Sequence, residues 1–158
     1  MNELSSEHHA ELEKHYRQTI IIISVQVLAA VILIAAPFFL APNAENVAAP
    51  ETLRTLWIVI IFIAVGTLLL RRMFFRWDRL RDIALLKGVK GLLRTLQSNA
   101  IILTVLAEMI VIVGFIISFL SGERFDTLRA GIVALILLAI NFPRKSVWGK
   151  IAANLQEI

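Results

Sequence analysis

The chain predicts an all-α fold: a polytopic membrane protein of four transmembrane helices with both ends in the cytoplasm. Three observations carry that expectation. Four apolar runs approach the roughly 20 helical residues needed to cross a hydrocarbon core about 30 Å thick. None of them alternates apolar and polar residues as a barrel strand does, and backbone groups in lipid must be satisfied inside a helix or a closed barrel. The basic residues gather on one side of the runs, as the positive-inside rule asks of cytoplasmic segments. In a chain of 158 residues that is 58% hydrophobic, the length of the runs, more than the percentage, sets it apart from a soluble domain.

Residues 1–18 are expected to form a cytoplasmic helix, with Glu13 and Arg17, and Glu11 and His15, in supporting i,i+4 pairs. His8, His9 and His15 match no metal-ligand spacing, so they read as part of a solvated polar helix, and no metal is expected. The first span covers 19–40. The tail before it carries Glu3, Glu7, Glu11 and Glu13 where a signal peptide would be basic, so the span is read as retained. A loop rich in Ala, Pro and Asn follows, from Ala41 to Pro50, and the second span covers 53–70, ending at Arg71-Arg72. The third, 100–120, closes at Ser121-Gly122, where glycine suits a helix C-terminus. The fourth, 126–142, takes Asp126 as its N-cap and is stopped by Pro143, with Arg129 reaching back toward the headgroups. Residues 143–158 form a cytoplasmic tail.

Orientation follows from charge. With the N-terminus inside, the cytoplasmic side holds Lys14, Arg17, a basic loop over 71–99, and Arg144, Lys145 and Lys150. The loop itself carries Arg71, Arg72, Arg76, Arg79, Arg81, Lys87, Lys90 and Arg94, and the opposite side keeps only Arg54, Arg124 and Arg129. Aromatic and aliphatic residues mixed among these charges suit contact with anionic lipid headgroups or with a partner protein. Gly88-Val89-Lys90-Gly91 imitates the GXXG loop of an RNA-binding KH module but lacks the module around it, so the formal charge of +4 does not imply a nucleic-acid partner. Trp57, Trp77 and Trp148 lie near span ends, where interfacial anchors belong. Cysteine is absent, which excludes disulfides and thiol chemistry. No nucleophile–base pair, metal cluster or phosphate loop is legible, so neither an enzyme nor a cofactor is expected.

Glu108 is the one ionisable residue inside the third run. An intramembrane carboxylate is a candidate functional site by default. A central charge costs about 3 kcal/mol on the insertion scale, against roughly 4 to 8 kcal/mol contributed by the aliphatic residues of the span, so the helix still inserts. Burial in hydrocarbon favours the neutral form of such an acid. Thr104, Glu108, Val111, Phe115 and Ser118 recur at helical spacing on one stripe, and Gly114, Ser118 and Gly122 form a small-xxx-small series that permits close helix approach. Glu108 is therefore expected to face protein. At 1.5 Å per residue it lies about 12 Å into its span, and Gln26 about 10 Å into the first. Gln26, with Ser24 and Thr104 nearby, is the depth-matched hydrogen-bond partner; Thr67 and Asn141 lie nearer the cytoplasmic end.

Around the acid, Leu106-Ala107-Glu108 is followed six residues later by Gly114. Over about residues 100–117 this resembles the carboxylate-bearing helix of rotary ATPase c subunits, the proteolipids. The resemblance implies an ion-carrying role for Glu108 and a packing role for Gly114. The second span departs from that family, holding only Gly66 where the family's preceding helix is glycine-rich. The expected role is accordingly non-enzymatic, a structural or accessory component of the bacterial cytoplasmic (inner) membrane whose buried acid holds the bundle. A proteolipid-like proton carrier is the alternative, and an assembly or docking factor working through residues 71–94 is the third. Expected partners are membrane lipids, with another membrane subunit or a second copy of the chain possible on the same features.

Overall fold

The computed structural model describes residues 6–40 and 48–155, with the side chains of 9–40 and 48–154. The first five residues, most of the Ala41–Pro50 loop and the last three residues of the tail lie outside the described residues, as does the His8 side chain. The described chain is all-helical: α1 (Ser6–Leu40), α2 (Pro50–Phe74), α3 (Trp77–Ser121), α4 (Phe125–Asn141) and α5 (Lys145–Leu155). α1, α2 and α3 are each long and apolar enough to cross a membrane, and α4 with α5 makes a fourth such unit when the pair, bent by 41°, is taken together. α4 alone has 17 residues, about 25 Å of helix, somewhat short of a hydrocarbon core.

α3 is the central element and packs against the four others. At 45 residues it is far longer than a span requires, and so is α1 at 35. Both therefore run past the apolar band at the basic end. The separate N-terminal helix and first span of the sequence reading form one continuous helix. Pro37 lies in the last turn of α1, where its missing N–H leaves the Leu33 carbonyl without its helical donor just before the helix ends. α2 opens on Pro50 and closes with Arg71 and Arg72 in its last turn, which complements the helix dipole at that end.

Residues 71–99 are not a loop. α2 continues to Phe74, Phe75 and Arg76 turn the chain, and α3 begins at Trp77. Leu80, Ala84, Val89, Leu92, Leu93 and Leu96 are buried in a cluster with Leu12 and Ile23 of α1 and Trp148 and Ala152 of α5. The sequence hides this stripe because Gly88 is non-helical, with φ 65° and ψ −176°, and joins two helical arms. That one residue shifts the helical phase, so the apolar spacing opens to five between Ala84 and Val89 and then resumes at threes and fours.

Gly88 has no atom near its absent Cβ, so a side chain there would meet open space and only the backbone would be strained. Gly88→Ala is expected to cost about 1–3 kcal/mol for that reason. Gly66→Ala on α2, also with open space around it but helical, is expected to be neutral or stabilising. Denaturant unfolding of the two variants in micelles checks the contrast, and equal stabilities would remove the bend from the account.

The expected tail is also helical. α5 buries Trp148 and Ala152 and half-buries Ile151, and Trp148 meets the ring of Tyr16 edge-on at 5.9 Å. Trp148 is thus a core residue rather than an interfacial anchor, because the bend after α4 lays α5 against α1 and α3. Trp77 is exposed and Trp57 half-buried. A second cluster lies within the apolar band. Ala107, Ile110, Val111 and Ile117 of α3 pack there on Ala130, Ala134, Leu137 and Leu138 of α4, with Ala30 of α1 and Ile60 of α2. Outward from it α1 and α2 present bare aliphatic and aromatic side chains, among them Ile21, Val25, Leu28, Ile61, Phe62 and Val65.

Candidate functional site

Glu108 sits on α3 at the edge of its buried face. Thr104, Ala107 and Val111 beside it are buried, Val105, Met109 and Ile112 on its other flank are exposed, and Glu108 itself is half-buried. Among the described residues its carboxylate makes no side-chain hydrogen bond and no ion pair. The expected pairing with Gln26 is corrected by one helical turn. Gln26 does reach α3, but its Oε1 accepts from Thr104 Oγ1 at 2.7 Å, four residues before the acid. Ser24 is exposed, and the Thr67 hydroxyl donates within its own helix to the Ile63 carbonyl.

The reason lies in how the register between α1 and α3 is fixed. Depth measured from the starts of two apolar runs assumes that the helices start level and run parallel. Both helices extend beyond those runs, and at the basic end His15 Nδ1 lies 2.8 Å from Gln97 Oε1, a contact from which level, parallel helices would bring Gln26 to the depth of Glu108. Between that contact and the Gln26–Thr104 bond lie eleven residues of α1 but only seven of α3, so the two helices do not advance in step and Gln26 falls one turn short of Glu108.

The small-residue series divides between an interface and a turn. Gly114 is buried directly under α4, where a Cβ would overlap that of Ala130, and its carbonyl accepts from Thr127 Oγ1 at 3.1 Å. Ser118 is buried and donates to the Glu123 carbonyl at 2.8 Å. Gly122 is the left-handed residue that ends α3, at φ 72°, as its position after Ser121 implied. The turn is tied by Asp126, buried, which accepts from Ser121 Oγ at 2.8 Å and from Arg129 Nη1 at 2.8 Å. Asp126 is therefore not the N-cap. α4 starts one residue earlier, and the carboxylate is engaged by Ser121 and Arg129 instead of by free backbone N–H groups.

The basic residues of 71–94 are spread around the end of the bundle and do not form one face. Arg76 approaches Asp78 at 3.8 Å, Arg79 lies 4.9 Å from the ring centre of Phe74, and Lys90 pairs with Glu11 at 3.2 Å. Arg81, Lys87 and Arg94 are exposed. Arg71 and Arg72 line a cavity together with Arg144 and Asn141. In the sequence Arg144 bears only on topology, and Asn141 is expected only as a weaker partner for Glu108. What joins them to Arg71 and Arg72 is the packing of the α4 end and the bend after it against the end of α2, which leaves no local pattern. A Lys145–Glu13 ion pair ties α5 to α1. Among the described residues no group of three or more His, Asp or Glu is placed to hold a metal ion.

Comparison of the chain with family models, with characterised proteins and with solved structures finds no match.

Proposed function

We infer that this chain is an integral membrane protein with both termini in the cytoplasm and a non-enzymatic, structural or accessory role in its membrane. The observation that supports this reading best is how polar side chains at membrane depth are used. Thr104 bonds Gln26 and Thr127 bonds the Gly114 carbonyl, joining α3 to α1 and to α4, while Ser118 bonds the Glu123 carbonyl and closes the turn after α3. Such contacts, with close approach at glycine, are what hold helices together where lipid tails cancel the hydrophobic drive. The bare aliphatic faces of α1 and α2 are consistent with lipid on the outside, and the basic end with the cytoplasmic headgroup layer.

A second reading, a proteolipid-like proton carrier, is favoured by one specific observation. Glu108 is half-exposed on the flank of α3 and unpaired among the described residues, so its acid can be approached from outside the bundle. Glu108→Gln separates the two readings. On the structural reading the purified protein in proteoliposomes passes no protons, and the substitution changes stability by less than about 1 kcal/mol, since no hydrogen bond is lost. On the carrier reading the parent chain passes protons, Glu108→Gln abolishes the flux at unchanged stability, and a hydrophobic carbodiimide labels Glu108 and blocks it. Proton flux in the parent would overturn the structural reading.

A further inference from the structure

We propose that the cavity at the basic end is a binding site for one phospholipid with an anionic phosphate headgroup. The cavity, about 790 Å³, lies where α2 ends, α4 ends and α5 begins. Arg71, Arg72 and Arg144 line it, and no carboxylate does. Among the described residues none of the three guanidinium groups is in an ion pair, whereas Arg76, Arg129, Lys90 and Lys145 all are. Three uncompensated arginines around one space favour an anion, and the guanidinium fork matches phosphate oxygens two at a time. Val147 and Trp148 in the first turn of α5 border the same space, so the positive end of that helix dipole lies near it, although their own N–H groups donate to the Arg144 carbonyl.

Asn141 supplies an independent observation. It is 7% exposed and lines the cavity, and neither its amide oxygen nor its amide nitrogen has a hydrogen-bond partner. A buried amide left without partners is costly, and a ligand offering both a donor and an acceptor removes that cost once the covered amide turns toward the cavity. The glycerol hydroxyls and ester carbonyls next to a phosphate have that character.

The remaining lining says which source of phosphate fits. Leu68, Ile140, Phe142 and Val147 make one wall apolar, and Trp77 stands exposed beside them. Free phosphate has no use for that wall, but an acyl chain does, and tryptophan belongs at the headgroup level. The site also sits where the apolar runs of α2 and α4 stop, at Leu70 and Ile140, which on the membrane reading is the depth of the headgroups. The proposal rests on that reading and makes it specific, with one lipid held in a formed site where a basic surface alone would attract many loosely.

Native mass spectrometry of the full chain, released from micelles after incubation with equal amounts of phosphatidylglycerol and phosphatidylcholine, tests it. One bound phosphatidylglycerol is expected, retained at least about tenfold over phosphatidylcholine. The pair Arg72→Ala with Arg144→Ala, both at exposed side chains, should lower that preference to below about twofold, and Asn141→Asp should lower it by placing a carboxylate in the site. Arg124→Ala, at the other end of the bundle, should leave it unchanged. Equal retention of the two lipids, or a preference that survives the paired substitution, overturns the proposal. Displacement of the adduct by millimolar inorganic phosphate overturns the lipid as source and assigns the site to free phosphate. Failure of the membrane reading would show separately, as release of the protein from membranes by alkaline carbonate.

Discussion

Trp148→Ala is expected to destabilise the basic end of the protein by about 3–5 kcal/mol, the range for removing a large buried aromatic side chain. Trp148 is 2% exposed, lies against Tyr16, and belongs to the cluster in which Leu12, Leu92, Leu93 and Leu96 are also buried. On the reading of this end as lying beyond the bilayer, water is the alternative environment for these side chains, so burial carries its full hydrophobic value. The loss should be local. α5 should detach, becoming open to proteolysis after Lys145 and Lys150, while the helical content of the apolar band persists. Equilibrium unfolding in micelles together with limited trypsin digestion reads both effects. If α5 stays protected and the loss is below about 1 kcal/mol, the tail is not docked as described.

Gly114→Leu is expected to have an effect of similar rank for a different reason. Within lipid, moving an apolar side chain from a helix interface to the acyl chains gains or loses little, so close contact carries the stability. A Cβ on Gly114 would occupy the place of the Ala130 Cβ, which is fixed by the α4 backbone and has no rotamer with which to yield. The helices must separate, and the bond from Thr127 Oγ1 to the Gly114 carbonyl must lengthen with them. Overpacking costs about 1–3 kcal/mol, and a lost interhelical hydrogen bond adds roughly 0.6 to 1.7. Gly66→Leu is the matched control, because nothing lies near a Cβ at that position. Resistance to unfolding by SDS should fall for Gly114→Leu and hold for Gly66→Leu. Equal behaviour of the two would reject the α3–α4 contact.

The two substitutions show where the molecule was open to reading in advance. Gly114 could be picked out because small residues at i and i+4 in an apolar run mark close approach whatever the partner helix is. Trp148 could not, because its burial depends on the 41° bend at Phe142-Pro143-Arg144, which carries no hydrophobic period. Gly122 was legible for a local reason, the left-handed conformation that ends a helix. Asp126 was misread for an equally local one, since Ser121 and Arg129 take up the oxygens that would have capped α4.

The amino-acid order alone settled that the chain is helical and strongly apolar, where its long runs begin and end, and that one acid stands within the third. Those properties belong to single segments, and transfer free energy and helical periodicity act on each segment separately. The folded arrangement decided the rest: that Gln26 meets Thr104 and not Glu108, that the acid stands at the rim of the buried face, that residues 77–99 pack as helix on both sides of Gly88, and that arginines from α2 and from the turn before α5 share one cavity. Each of these depends on register between helices distant in sequence. That register shows in contacts such as His15 with Gln97, Gln26 with Thr104 and Tyr16 with Trp148, and in the phase slip at Gly88, none of which a single helix specifies.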